Sequence, residues 1–335
     1  MTDKEEPGDE LDVDSLRFLA MLTVARERVL RDRQSAIREL KRLRSIAEKY
    51  NADPELVIGC ERSLLEADTL SMPAHVRLER MQELDRRARA ELPEENRERR
   101  SVANFLASAL RRVDREAGIA AYRDELALRE RVYGPDHRSI RYSRLNLCVA
   151  LRSYGAPIAD LVEAHEILTD EWRSRREAFG EDNPFTWMAA HAYVHNALRA
   201  HQLGHPLETP PALVEKASAV VDARQRVLGT AHRRTLFARI TLAEARGRAG
   251  QTEQAVWGLV ALRSEVDAIG LDEPERIPLL LMEFLAGAAD PADRRAAADY
   301  GREARVHLVQ IYGPAHPQVV DVESAVGRIT ASLEV

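Results

Sequence analysis

The side chains best placed for chemistry are four imidazoles. His191 and His195 are four residues apart, as are His201 and His205, and histidines at i and i+4 on one helical face can share a metal ion. Neither pair has an evident third ligand, and Ala192 stands where a His-Glu-x-x-His zinc enzyme keeps its general base. Cys60 and Cys148 are the only cysteines, too few for a zinc ribbon or a disulfide framework, which fits a reducing cytoplasm. The sequence holds no Gly-x-x-x-x-Gly-Lys-Ser/Thr loop, no Gly-x-Gly-x-x-Gly turn and no Gly-x-Ser-x-Gly elbow. Carboxylates are so numerous that no pair stands out as acid and base. The expectation is a chain that is not an enzyme and carries no metal or cofactor.

Binding candidates are more numerous. Phe185, Trp187 and Met188 fall close together; rigid aromatics are favoured anchors at interfaces, although at helical spacing they also build cores. A basic stretch from Arg26 to Arg44 includes Arg28, Arg31, Arg38 and Lys41 and is diluted by Glu27, Asp32 and Glu39. It could face nucleic acid or an acidic partner, or be a solvated helical face. Net charge favours the second reading. The formal −6 resides in residues 1 to 15, where seven acids face Lys4, and the remaining 48 basic and 48 acidic residues balance. That balance argues against a chain that coats nucleic acid or an anionic membrane. No run approaches the ~20 apolar residues a spanning helix needs, since even Leu279 to Ala289 is broken by Glu283.

The elements that must position these residues are helices. Aromatics are 5% of the chain, alternating β-branched runs are missing, and Ala, Leu, Arg and Glu dominate, so the expected class is all-α. A short signature recurs at Gly134-Pro135-Asp136-His137, Gly180-Glu181-Asp182-Asn183, Gly229-Thr230-Ala231-His232 and Gly313-Pro314-Ala315-His316. The glycines are 46, 49 and 84 residues apart, and Gly270 divides the last interval. Each signature reads as a helix end, with glycine at a left-handed C′ position and the next helix starting just beyond. A second turn falls midway, at Gly155-Ala156-Pro157 and Gly250-Gln251-Thr252, so each unit is a helical hairpin. Seven are expected, over 13–50, 53–91, 94–133, 136–179, 182–228, 231–269 and 272–312, with a closing helix over 316–333 and a disordered acidic tail over 1–12. The first two, 13–91, are the divergent ones. The segment Gln202 to Pro211 reads as an extended loop projecting from its hairpin.

The string Gly134-Pro135-Asp136-His137, followed by Asn146-Leu147-Cys148 and Leu151, resembles the 42-residue tetratricopeptide (TPR) repeat of the kinesin-light-chain type, as in TPR proteins of actinobacteria. Thr241-Leu242-Ala243, Gly250 and Gly313-Pro314-Ala315-His316-Pro317 fit the same frame. The resemblance covers residues 94 to 320. It implies an α-α superhelix whose first helices line a concave groove for an extended peptide, with an asparagine hydrogen-bonding the ligand backbone. Asn146 matches that position directly and Asn104 by the repeat offset, whereas Ala192 and Thr241 interrupt the series. Ser143, Met188, Asn196 and Arg239 are the further groove residues expected from register, with Phe185 and Trp187 as a possible aromatic anchor.

The leading function is therefore a non-catalytic protein- or peptide-binding scaffold working through that groove. The alternatives are a peptide-responsive regulatory sensor of the TPR class and a metal-dependent enzyme built on the histidine pairs. An exposed terminal face could also pair two copies of the chain, although Val319, Val320, Val326 and Ile329 suggest a final helix that seals the array.

Overall fold

The signature segments end one helix and begin another in the computed structural model, which describes residues 21–25, 33–50, 52–67, 72–134, 137–269 and 273–333. The helices are α1 (Arg33–Lys49), α2 (Pro54–Ala67), α3 (Ala74–Glu91), α4 (Arg97–Leu110), α5 (Arg115–Tyr133), α6 (Arg138–Leu151), α7 (Ile158–Phe179), α8 (Pro184–Gln202), α9 (Pro210–Leu228), α10 (Arg233–Arg248), α11 (Thr252–Ile269), α12 (Arg276–Leu285), α13 (Pro291–Tyr312) and α14 (Pro317–Ala331). No strand occurs among the described residues. The tail 1–12, the cations Arg26, Arg28 and Arg31, and Gly270 lie outside them.

The chain folds as two compact units, 1–71 with 79–105 and 72–78 with 106–335. In the first, Leu22, Ala25, Leu40, Leu43 and Cys60 form a small core. Arg62 is buried there against Glu98 at 3.0 Å and over the Phe105 ring. Arg44, at the end of the basic stretch, pairs with Glu48 and Glu61, each at 2.9 Å.

The second unit is a succession of antiparallel pairs, α6 with α7, α8 with α9, α10 with α11 and α12 with α13, followed by α14. First helices also touch across pairs, α8 against α10 and α10 against α12. Apolar packing runs on from pair to pair: one core joins Ile119, Leu147, Leu168, Val194, Val220 and Leu242, and another takes over from Leu236 to Leu259 and Leu281. No pair hides its apolar face alone, the condition that makes such arrays cooperative between neighbours.

Local chemistry fixes where each helix stops. Gly180 follows α7 with φ 82° and ψ 170°, and its N–H reaches the Arg176 carbonyl. The positive φ agrees with the sequence reading; the ψ does not. It places the residue in an extended region open essentially to glycine alone, instead of the left-handed helical region. Gly134, Gly229 and Gly313 repeat the geometry. The residue before each following helix then caps it: the Nδ1 atoms of His137, His232 and His316 accept from the N–H groups of Ser139, Arg234 and Gln318, and the Asn183 side chain accepts from Phe185. Tyr133 on His137 and Tyr312 on His316 stack at 4.4 Å, closing the turn from outside.

Two expectations are corrected. The loop expected between Gln202 and Pro211 is present over 203–209, seven residues against three between α10 and α11, but Leu207 within it packs against Ala156, Leu161 and Ala200 instead of projecting. On α14, Val319 and Ile329 are buried and Val326 packs with them, but Val320 faces outward.

Candidate functional site

The first helices of the second unit bring their inner faces to one cavity of about 1160 Å³. Its walls come from the α4–α5 turn, the end of α6 and the turn after it, the C-terminal half of α8, Glu244 of α10, the length of α12, Tyr312 at the end of α13, and α14. The turn after α6 and helix α14 are brought together although far apart in sequence: the Tyr154 hydroxyl donates to Asp321, and its ring lies 5.7 Å from that of His316. This contact closes the cavity on one side.

Seven arginines and five carboxylates line it, and they divide into two groups. Arg115 is held by Asp160 and by the Leu151 carbonyl at 3.0 Å. Arg276 is held by Glu244 at 2.9 Å and Thr241 Oγ1 at 3.0 Å. Glu283 is engaged by Arg248 from the neighbouring first helix. Arg111, by contrast, meets no carboxylate: it reaches Ser153 Oγ at 3.5 Å and the Tyr122 hydroxyl. Among the described residues, Nε of Arg111 and Arg112 and Nη1 of Arg152 are buried without a protein acceptor. Burial, and then Arg111 and Arg276, push the Arg152 guanidinium down to about 10 despite Glu273. Buried Arg77 is likewise lowered to about 10, by desolvation and then by Arg112 and Arg111. Glu275 on the opposite wall is raised to about 7 by burial and by Glu273, so it offsets these cations only partly at neutral pH.

His195 lines the cavity and His191 stands behind it, their rings stacked at 6.5 Å. His191 Nε2 meets Thr241 Oγ1 at 2.9 Å. Both are pushed well below the usual imidazole range, first by burial and then by arginines, Arg224 and Arg276 for His191 and Arg276 and Arg152 for His195. Neutral imidazoles ringed by guanidinium groups favour an anion over a metal cation, and no group of three or more metal-ligating side chains occurs among the described residues.

None of the groove residues expected from register lines this cavity. Asn196 is 0% exposed, and its amide donates to the Leu161 carbonyl at 2.9 Å, so it ties α8 to α7. Ser143 is buried against its own helix. Met188 packs on the core, and Arg239 is paired with Glu265 of α11 at 2.8 Å. Asn104 and Asn146 are half-buried. The lining residues are Val149, His195 and Glu244, each one helical turn beyond Asn146, Ala192 and Thr241. Of the proposed aromatic anchor, Phe185 is 46% exposed and lies edge-on to Tyr142 at 6.0 Å, whereas Trp187 packs against the core.

The inner face has only a partial signal in the spacing. Ser153 and Arg199, 46 residues apart like Gly134 and Gly180, both line the cavity, whereas Arg248, 49 residues further on, does not. A parallel series, Arg129, Arg175 and Arg224, precedes each glycine by five residues. Arg175 donates to the carbonyls of Phe185 and Arg141 at 3.1 and 3.0 Å, and Arg224 to that of Arg234 at 2.6 Å, so these two clamp their second helices to the pair that follows, whereas Arg129 pairs with Glu125 on its own helix.

No family model and no curated protein matches the chain. Two solved structures of nearly identical TPR-like repeats, from a Podosopora anserina protein of kinesin-light-chain type, are similar to it. One is 18% identical, covers 64% of this chain and 95% of its own, and superposes with a TM-score of 0.48. The other is 15% identical, covers 63% and 97%, and has a TM-score of 0.46. The described residues contain helices and no strand, and those of the second unit pack as successive hairpins.

Proposed function

We propose that this protein is a non-catalytic scaffold that holds a protein or peptide segment on the inner face of its second unit. The observation that carries the reading is the set of lining arginines that each keep a buried nitrogen without a protein acceptor: a wall built only for stability would bury apolar groups or paired ones. Stacked first helices offer successive contacts to an extended ligand, each modest and together sufficient for specificity. Peptides selected from a random library on the intact chain would test this by hydrogen exchange. The reading expects slowed exchange in the C-terminal halves of α6 and α8 and in α12. Selected peptides that protect only outer helices, or none that bind, would overturn it.

A second reading, a regulator that changes curvature when its ligand enters, is favoured by one contact. Tyr154 and Asp321 close the cavity through a single exposed hydrogen bond, which a ligand can exchange at low cost. Tyr154→Phe should then raise ligand association and dissociation rates together. Unchanged rates would leave the static scaffold as the sole reading.

A further inference from the structure

Three features remain after the scaffold reading: the arginine-rich end of the cavity, the exposed Trp257 on α11 beside a second, shallower cavity, and the Tyr142–Phe179–Phe185 aromatic patch. The arginine-rich end carries the most information, because its chemistry specifies what would complete it.

We infer that this end of the cavity is a receptor for a phosphoryl group, held by Arg111, Arg112 and Arg152 and carried either by a small phosphorylated molecule or by a phosphorylated side chain. The inference rests on the reading of the cavity as the binding face and deepens it. Three guanidinium groups line one wall without a carboxylate hydrogen bond, while other arginines of the same cavity are committed to Asp160 and Glu244. The chain thus supplies carboxylate hydrogen bonds to some of its buried cations, while these three have only the Ser153 and Tyr122 hydroxyls on Arg111 and the more distant charges of Glu273 and Glu275. Burial first lowers Arg152 and the adjacent Arg77, and Arg111 adds to both, against the opposing pull of Glu273 on Arg152. Placing several like charges together is unfavourable unless an anion joins them.

Anion type follows from stoichiometry. A carboxylate brings one charge and two oxygens, enough for one guanidinium fork. A phosphoryl group brings close to two charges at neutral pH and three strong acceptor oxygens, so it can serve several forks at once. Tyr312 also lines this end and lies within electrostatic range of Arg111 and Arg112; its hydroxyl adds a neutral donor. Cavity size agrees: about 1160 Å³ is somewhat above the ~300–1,000 Å³ of small-ligand sites, large enough for a phosphorylated residue with its neighbours and too small for a folded domain.

The test uses the intact chain at low, constant ionic strength, because exposed charge attraction is screened by salt. Four probes are titrated calorimetrically: inorganic pyrophosphate, a nucleoside 5′-monophosphate, a phosphoserine peptide, and the same peptide with glutamate in place of phosphoserine. Pyrophosphate should bind, and Arg111→Gln, Arg112→Gln and Arg152→Gln should each weaken it about tenfold or more, the range of a lost charged hydrogen bond. Arg152→Lys should weaken it as well, since the fork is lost with the charge kept. Arg295→Gln, an exposed change of equal charge on α13, should leave it unchanged. Should a cavity variant fail to fold, phenylglyoxal modification of the unmodified chain decides instead: pyrophosphate must shield Arg112 and Arg152. Binding unaltered by all three glutamine variants, absence of shielding, or no binding by any phosphoryl probe would overturn the inference. A glutamate peptide that binds as tightly as the phosphoserine peptide, with pyrophosphate silent, would also overturn it while leaving the scaffold standing. Pyrophosphate and the nucleotide binding while neither peptide does would support the phosphoryl receptor and remove the peptide scaffold.

Discussion

Replacing Arg175 with methionine should cost about 3–5 kcal/mol of stability, the range for breaking a buried charged pair from one side. Its side chain is 2% exposed and makes three bonds: Nε to Glu171 at 3.1 Å, Nη1 to the Phe185 carbonyl at 3.1 Å and Nη2 to the Arg141 carbonyl at 3.0 Å. Methionine keeps most of the stem's packing, so apolar loss is small. Two backbone acceptors lose their donor, worth about 1 kcal/mol or more each. Glu171, itself buried, keeps only half-buried Arg144 at 3.1 Å. Arrays of this kind need not unfold in one step, so a urea midpoint should be read together with residue-level hydrogen exchange. The first turn of α8 and the end of α7 should lose protection before α10 and α11. Removing Glu171 as well, in Glu171→Met with Arg175→Met, should recover part of the loss, because the stranded charge is gone. An unchanged midpoint with unchanged exchange in α7 and α8 would refute the clamp.

Four other outcomes are expected. Gly180→Ala should destabilise by about 1–3 kcal/mol through backbone strain alone, because no atom lies within 4 Å of the added Cβ; in contrast Gly258→Ala, inside α11 and in ordinary contact with Ala243, should stabilise by roughly 0.5–1 kcal/mol, and thermal melts compare the two. Burial first and Glu273 second raise Glu275 from 4.5 to about 7. The folded chain thus keeps a proton that the unfolded chain has released, so this group's contribution falls as pH rises from about 4.5 to about 7, by on the order of 3 kcal/mol. Arg112 and Arg276 face the same carboxylate, and His191 and His195, both depressed, act in the opposite sense near pH 6, so the difference between wild type and Glu275→Gln across pH 4 to 8 is the quantity to measure. Cys148 is 0% exposed, and burial pushes its thiol up to about 12; alkylation should spare it in the native chain and label it fully in urea. His137→Ala removes a cap acceptor and should cost about 0.5–2 kcal/mol, with fraying confined to the start of α6 by hydrogen exchange.

Helices and turns were legible because they obey local rules. Gly134, Gly180 and Gly229 end helices by a backbone conformation that only glycine enters freely, and His137, His232 and Asn183 start the next by accepting from N–H groups two residues ahead. Such signals survive in a single sequence. The cavity lining on the first helices falls one helical turn beyond the positions expected from register, at Val149 instead of Asn146, because which residues look inward depends on how first helices cross, a property of packing between pairs. Asn196 shows the cost of register alone: it shares the α8 turn with the lining residue His195, yet its amide is spent on the Leu161 carbonyl. The Tyr154–Asp321 contact joins residues 167 positions apart, and no periodicity in the chain announces it.

Arginine has two uses here, and the difference separates stability from binding. Arg175 and Arg224 are buried at the junctions between pairs, and protein carbonyls receive their donors. Arg111, Arg112 and Arg152 are turned to a cavity and keep buried nitrogens without a protein acceptor. Both sets are desolvated, so both carry a penalty; only the first recovers it within the chain. If the second set served folding, replacing Arg152 with methionine would destabilise as Arg175→Met does. The structure predicts the reverse: Arg152→Met should leave the midpoint unchanged or raise it, because a repelled, unpaired cation is removed. A loss near that of Arg175→Met would mean that Arg152 is structural after all, and would take the anion receptor with it.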